Sequence, residues 1–351
     1  MRSPLLGRGA GADGVFERNR EAGSVLVAAI LPASAAARVF AVLQTVLRGL
    51  GDVLFAFWLA AGVGCARQEP TALPSHAPPA SPPGVEHQAT MFAKGDAYEQ
   101  FMGRWGTQLA RLYVAFAQLQ DGDRVLDVGT GTGAVALTIE ATMPSSHVEG
   151  VDPSAAFLEY GRSRAKSPRV RFEVGDAQAL QFENGSFDKT VAQLVMNFIP
   201  DHERALREMV RVTRPGGVVS ACVWDYGAGM QMLRFFWDEA VALAPAAAPK
   251  DERNMKLSRE GQLAALWRKA ALSSVEESPL SFEQRFVSFD DYWAPFLTGT
   301  GPAGTYVKSL SEDQRRELAA RLRARLSGGR PDGPFTLNAT ANCVRGVVPT
   351  G

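Results

Sequence analysis

The residues best suited to chemistry lie where a predicted buried strand turns into a helix. Residues 125–133 read VLDVGTGTG, with glycines at the alternate positions 129, 131 and 133. Glycine lets the backbone approach a ligand closely, and the start of the following helix presents unpaired N–H groups to that ligand. Gly129, Gly131 and Ala134 also fit the G-x-G-x-x-G/A spacing of dinucleotide-binding folds, so this loop alone leaves the ligand open.

Three aspartates narrow the choice of ligand. Asp127 lies two residues before Gly129, where its charge would repel a pyrophosphate and attract an ammonium or sulfonium group. Asp152 ends the next predicted strand, and a carboxylate there can accept two hydrogen bonds from a ribose diol or can cap the following helix. Asp176 follows the third predicted strand, where it either accepts a hydrogen bond from an adenine amine or forms a plain turn.

Positioning these groups requires a sheet whose strands end at one edge. From Met91 onward the chain alternates strand and helix patterns, which predicts a doubly wound α/β sheet covered on both faces. Ligands of such sheets bind beyond the carboxyl ends of the strands, so the three aspartates should lie near one another. The predicted strands are 124–128, 147–151, 170–174, 189–195, 218–224, 275–286 and 335–344. The predicted helices are 104–118, 134–143, 155–164, 202–212, 230–243, 259–271, 292–297 and 312–326.

The first 90 residues differ from the rest in composition. They contain no lysine, and the proline-rich tract from Pro70 to Pro83 is typical of a linker. Residues 48–65 resemble the apolar part of a signal peptide ending at a cysteine, but they are too short to span a bilayer, which takes about 20 apolar residues. We expect residues 1–90 to be a dispensable extension; export or membrane anchoring through residues 48–65 is the alternative.

Charge and cysteine content exclude several classes of protein. Lys plus Arg and Asp plus Glu each number 37, so no overall field attracts nucleic acid or an anionic membrane. The three cysteines have neither metal-ligand nor disulfide spacing, which predicts no metal site and fits a reducing cytoplasmic location. The expected partner is a small molecule.

Several motifs occur in an order found in one enzyme family. After GDAYEQFMGRW come VLDVGTGTG, GVDPS, FEVGDAQALQFENGSFD and RVTRPGG. Over about residues 92–347 the chain resembles class I S-adenosylmethionine-dependent methyltransferases, and most closely the branch that includes the ubiquinone and menaquinone C-methyltransferases. The resemblance implies a Rossmann-like sheet of seven strands, mostly parallel with the last strand antiparallel. We therefore expect residues 91–347 to form this domain. Residues 288–330 lie between the last two predicted strands, and we expect them to form a helical insertion that could act as a lid.

The resemblance also implies the reaction and the site. S-adenosylmethionine would be the cofactor, and its methyl group would pass by direct in-line displacement to a small apolar or aromatic acceptor. Asn197 and Phe198 would face the acceptor, and we expect Trp293 and Phe296 to line its pocket. Arg104 would pair with the methionine carboxylate or form a surface ion pair. The implied cofactor-binding residues are Asp127, Gly129, Thr130, Gly131, Gly133, Asp152, Pro153, Asp176, Ala177, Gln193, Tyr98 and Arg104.

Two other functions stay open from the sequence. A protein that binds S-adenosylmethionine without catalysis would keep the same glycine loop. A nicotinamide-dependent oxidoreductase is disfavoured by Asp127 and by the lack of a Tyr-x-x-x-Lys pair in the catalytic half. None of the four histidines is placed convincingly as a general base, so the sequence names no catalytic residue.

Overall fold

The computed structural model describes residues 95–351. The predictions for residues 1–90, including the candidate export segment 48–65, lie outside the described residues. Within residues 95–351, no helix is both long enough and apolar enough to cross a bilayer.

One sheet organises the described part of the chain. Its order across the sheet is β3-β2-β1-β4-β5-β7-β6. Strands β1 to β5 run parallel, while β7 is antiparallel to both β5 and β6. This confirms the predicted seven-stranded, mostly parallel sheet with an antiparallel last strand. The strands are β1 Arg124–Val128, β2 His147–Asp152, β3 Val170–Val174, β4 Phe187–Gln193, β5 Thr213–Trp224, β6 Ser273–Phe286 and β7 Phe335–Val347.

Helices connect and cover these strands. The predicted helices are found with ends shifted by a few residues, but the sequence missed the short helix Gly95–Tyr98 and the helix Gly301–Ser309, which begins with Gly301-Pro302. Proline is favoured in the first turn of a helix, where no backbone donor is lost. The α-helices are α1 Gly95–Tyr98, α2 Arg104–Phe116, α3 Ala134–Thr142, α4 Ala155–Arg164, α5 His202–Val212, α6 Gln231–Leu243, α7 Gln262–Lys269, α8 Phe289–Leu297, α9 Gly301–Ser309 and α10 Glu312–Ser327. A π-helical turn, Glu99–Gly103, joins α1 to α2, and 3₁₀ turns lie at Pro245–Lys250 and Glu252–Asn254.

The strand order fixes where a ligand can bind. The chain winds from β1 through β2 to β3 on one side, and β4 then pairs with β1 on the other side. This reversal leaves a crevice beyond the carboxyl ends of β1 and β4, at the place where open α/β sheets bind their ligands. The end of β1 leads into the glycine loop, and the end of β4 carries Gln193.

The insertion between β6 and β7 packs on α6 through aromatic side chains. Phe296 is fully buried, and its ring stacks on Phe236 with centroids 4.6 Å apart and planes at 6°. The Tyr292 hydroxyl donates a hydrogen bond to the Met232 carbonyl at 2.9 Å. Phe101 from the π-helical turn packs edge-on against Phe296, with centroids 5.4 Å apart. These contacts make α8 part of the hydrophobic core.

Candidate active site

A cavity, called the main cavity below, opens beyond the carboxyl ends of β1, β2, β4 and β5. One end is formed by the glycine loop and the carboxyl end of β2, with Asp127, Gly129, Thr130, Gly131, Asp152, Pro153 and Gln193 among its lining residues. The remaining lining residues, called the apolar end below, are mainly apolar and include Phe101, Phe198, Trp224, Tyr226, Leu233, Glu252, Gly301 and Pro302. Tyr98 also lines it. The cavity therefore joins a polar loop to an apolar compartment.

The three alternate glycines allow the tight turn after β1. All three have left-handed backbones, with φ of 67°, 55° and 89° at Gly129, Gly131 and Gly133. A Cβ atom on Gly129 would lie 2.4 Å from the side chain of Val195, two residues after β4. A side chain at this position would therefore clash with Val195 and would also strain the left-handed backbone. The Gly129 N–H donates to the Val151 carbonyl at 2.7 Å, which ties the loop to β2.

Asp152 holds the glycine loop while facing the main cavity. Its carboxylate accepts hydrogen bonds from the backbone N–H groups of Gly131, at 3.0 Å, and Ser154, at 2.8 Å. The helix-capping role goes to Ser154, whose hydroxyl accepts from the Phe157 N–H. Burial raises the pKa of Asp152 to about 6, against the opposing effect of the two hydrogen bonds. Asp152 is thus a buried acceptor at the end of β2.

Asp127 is the second buried carboxylate of the loop. It is 1% exposed and accepts a hydrogen bond from the Thr130 hydroxyl at 2.7 Å. Burial raises its pKa to about 7, although the Thr130 hydrogen bond opposes the shift. A cation next to Asp127 would favour its ionised form, because opposite charges attract strongly where water is excluded.

Gln193 contributes a buried carbonyl oxygen that has no hydrogen-bond donor among the described residues. Its amide nitrogen donates to the Gly106 carbonyl at 2.9 Å, which fixes the side chain against α2. Its Oε1 atom is buried and accepts no hydrogen bond from the residues that the structure describes. Buried polar atoms are rarely left without a partner, so this oxygen calls for a donor from a ligand.

Several predicted cofactor residues do not line the main cavity. Arg104 pairs with Asp291 at 2.9 Å and lies over the Trp105 ring, as in the ion-pair alternative, and its contact with a methionine carboxylate stays a prediction. Asp176 accepts hydrogen bonds from the backbone and side-chain nitrogens of Gln178, as in the plain-turn alternative. The other predicted cofactor residues outside the lining are Gly133 and Ala177.

Of the residues predicted to contact the acceptor, some line the main cavity and others do not. Phe198 lines the main cavity, but Trp293 and Phe296 do not. Phe296 is buried in the core, and the half-buried Trp293 stacks on Phe289 against it. Neither of these two aromatic side chains therefore contacts the main cavity, and their contact with an acceptor stays a prediction. Asn197 lies just outside the lining, where its amide nitrogen contacts the Met255 sulfur at 3.2 Å.

Glu252 lines the apolar end and was missed from the sequence. It is 3% exposed, and its Oε2 atom accepts a hydrogen bond from the Trp237 indole at 2.7 Å. Burial raises its pKa to about 7, while the Trp237 hydrogen bond lowers it. Residues 250–254 read KDERN, a run typical of an exposed loop, so the sequence carries no signal that one of them is buried.

Comparisons with known proteins agree with this architecture. Residues 125–217 match the family model described as a methyltransferase domain. An uncharacterized protein of Mycobacterium tuberculosis is 32% identical over 171 residues, which cover 46% of this chain and 60% of that protein. The ubiquinone/menaquinone biosynthesis C-methyltransferase of Bdellovibrio bacteriovorus is 36% identical over 108 residues, 30% of this chain and 46% of that protein. The chain thus spans 60% or less of the length of these relatives.

One solved structure is also similar to part of the chain. Phosphoethanolamine N-methyltransferase 2 of Haemonchus contortus in complex with S-adenosyl-L-methionine is 22% identical, with a TM-score of 0.48 over 76% of this chain and 59% of that one. The family match, the order of strands and the glycine loop define the class. Residues 125–217 therefore carry a methyltransferase domain.

Proposed function

We propose that the protein transfers the methyl group of S-adenosylmethionine to a small, mainly apolar acceptor. The observation that carries this proposal is the continuity of the main cavity, which joins the carboxylate-lined glycine loop to an apolar compartment. A methyl donor and an acceptor must lie end to end for in-line displacement, and one shared cavity provides that alignment.

The residues at the loop end fit the proposed cofactor. The ammonium group of its methionine part would supply the donor that Gln193 Oε1 lacks, and it would also favour the ionised form of Asp127. The Asp152 carboxylate lies at the end of β2, where it would accept hydrogen bonds from the ribose hydroxyls. The positive-φ backbone at Gly131 keeps the loop free of side chains at this approach.

The chain's own contribution to the reaction would be alignment and exclusion of water. When bound, the cofactor supplies a methyl group on a positively charged sulfur. Trp224, Leu233 and Phe198 give the acceptor end apolar walls, which hold an apolar body and exclude water from the reacting atoms. The insertion contributes Gly301 and Pro302 to this end, so the proposed lid would act through the start of α9.

The relatives support a small aromatic acceptor. Two of them are named as a ubiquinone/menaquinone biosynthesis C-methyltransferase and a demethylmenaquinone methyltransferase. Quinone precursors combine an aromatic head with an apolar body, which is the chemistry that the apolar end could hold.

The test is a labelled transfer assay. Purified protein would be incubated with trideuteromethyl-labelled S-adenosylmethionine and a panel of phenols, hydroquinones and small-molecule cell extract, and products would be analysed by mass spectrometry. We expect a labelled small molecule that depends on the protein. Cofactor binding without any labelled product would instead favour a protein that binds the cofactor without catalysis.

A further inference from the structure

We propose that Glu252 accepts a proton from the methyl acceptor, and that this acceptor therefore presents a hydroxyl group on an aromatic body. This inference rests on the proposed function above. It assigns a catalytic base to a chain in which His147 and His202, the two histidines that the structure describes, lie outside the cavity lining.

The placement of Glu252 separates it from the other acids of the cavity. The lining contains three carboxylates within the described residues, and two of them, Asp127 and Asp152, belong to the glycine loop and the end of β2. Glu252 instead comes after β5 in the chain, accepts a hydrogen bond from Trp237 of α6, and lies close enough to Tyr226 for its charge to raise the pKa of that tyrosine. Among the described residues it is the carboxylate of the acceptor end.

Two hydrogen-bonded contacts hold Glu252 in position. The Trp237 indole donates to its Oε2 atom, while Oε1 receives no donor from the described residues. The turn that carries Glu252 is fixed by the preceding residue: Asp251 accepts two hydrogen bonds from the Arg234 guanidinium, at 3.0 and 2.8 Å. Arg234 is itself buried, so this ion pair is shielded from water and the turn is well anchored. One carboxylate oxygen is thereby left for a donor from the acceptor.

The neighbouring groups favour Glu252 as the proton acceptor. Burial raises the pKa of Tyr226 well above its usual value, as the nearby Glu252 charge also does, so this tyrosine stays protonated. Burial likewise raises the pKa of Tyr98. Two charged groups also act on the pKa of Glu252: the negative charge of Asp251 raises it, and the positive charge of Arg234 lowers it. A carboxyl that titrates near neutral pH is matched to taking a proton from an acidic hydroxyl.

The step balances with the groups already named. The acceptor O–H bond breaks, its proton moves to Glu252, and its electron pair forms the new bond from oxygen to the methyl carbon. The bond from that carbon to sulfur breaks at the same time, and its electron pair stays on sulfur. Water later removes the proton from Glu252.

The test measures proton uptake on binding a probe phenol. The probe is 4-nitrophenol, titrated into the complex of the protein with S-adenosylhomocysteine at a series of pH values above neutral, where free probe and Glu252 are both ionised. The wild-type complex should bind the probe with one proton shared between the two oxygens, so its affinity should fall about tenfold per pH unit. In Glu252→Gln the neutral amide donates to the phenolate, so the affinity should be nearly independent of pH.

Controls distinguish this role from a structural one. Glu260→Gln alters an exposed glutamate nearby and should retain the wild-type pH slope. Trp237→Phe keeps the Glu252 carboxylate but removes its hydrogen-bond donor, which raises the pKa of Glu252. The fall in probe affinity should then begin at a higher pH and keep the same slope. Failure of S-adenosylhomocysteine to bind would overturn the proposed function itself. Binding of S-adenosylhomocysteine with equal pH slopes in wild type and Glu252→Gln, or with no probe binding at all, would overturn only the role of Glu252.

Discussion

Replacing Asp152 tests whether the buried carboxylate at the end of β2 binds the cofactor. Asp152→Ala removes the acceptor that we propose for the ribose hydroxyls. Hydrogen bonds to a charged group contribute about 1.5–3 kcal/mol. The affinity for S-adenosylhomocysteine should therefore fall by about 10- to 150-fold, since about 1.4 kcal/mol corresponds to a factor of ten.

The structure also predicts that this variant keeps its fold. The pKa of Asp152 is raised to about 6 even with both backbone hydrogen bonds in place. Keeping the carboxylate ionised at pH 7 therefore costs the ligand-free protein roughly 3 kcal/mol, since one pKa unit is about 1.4 kcal/mol. Removing the carboxylate relieves that cost, which offsets the loss of its hydrogen bonds from the Gly131 and Ser154 N–H groups, so the unfolding temperature without ligand should change little.

Isothermal titration calorimetry and thermal unfolding measure the two effects separately. Asp201→Ala is the matched control, because Asp201 is a helix cap that accepts from the Arg204 N–H at 2.9 Å and does not line the main cavity. This control should lose about 1 kcal/mol of stability and keep its affinity for S-adenosylhomocysteine. If Asp152→Ala behaved like Asp201→Ala, with lower stability and unchanged affinity, the assignment of Asp152 to the cofactor would be refuted.

Three further predictions concern pH, the insertion and the N-terminal region. Because the pKa of Asp127 is raised to about 7, the folded chain holds this proton more tightly than the unfolded chain, and stability should fall as pH rises from about 4 to 7. Asp127→Asn should remove up to about 4 kcal/mol of this fall in the free energy of unfolding, measured with urea. An unchanged dependence of stability on pH would contradict the raised pKa of Asp127. Phe296→Ala should cost about 3–5 kcal/mol of stability and Trp293→Ala less, and both variants should keep their affinity for S-adenosylhomocysteine within a few-fold. Loss of acceptor turnover without loss of stability would instead show that these two side chains line the acceptor pocket. A chain that begins at Met91 should remain folded and bind cofactor with full affinity, whereas aggregation would show that the preceding residues are structural.

The sheet and the glycine loop could be predicted because their signals are local. β1 is a short apolar run that ends at glycines, and the predicted limits of 124–128 agree with the structure. The position of Asp152 at the end of β2 also followed from the strand pattern, which fixed its place at the cavity. Parallel strands and short connections translate directly into geometry, since consecutive strands end at one edge.

The acceptor end could not be predicted because it depends on contacts between distant residues. Aromatic residue types do not show whether a ring faces a cavity or the core, and Phe296 is held by Phe236, 60 residues away in the chain. Arg104 is paired with Asp291, 187 residues away in the chain. Glu252 is buried only because Trp237 and the anchored turn accommodate it. These arrangements arise from tertiary packing and leave no periodic pattern in the sequence.

The most direct test of the account is calorimetric titration of the purified full-length protein with S-adenosylhomocysteine and, separately, with NAD at neutral pH. The buried Asp127 and the unsatisfied Gln193 Oε1 both favour an ammonium-bearing ligand over a pyrophosphate. We expect saturable binding of S-adenosylhomocysteine with one site per chain, a higher unfolding temperature in its presence, and no heat of binding with NAD. Binding of NAD without binding of S-adenosylhomocysteine would contradict the assignment of this cavity to a methyl donor.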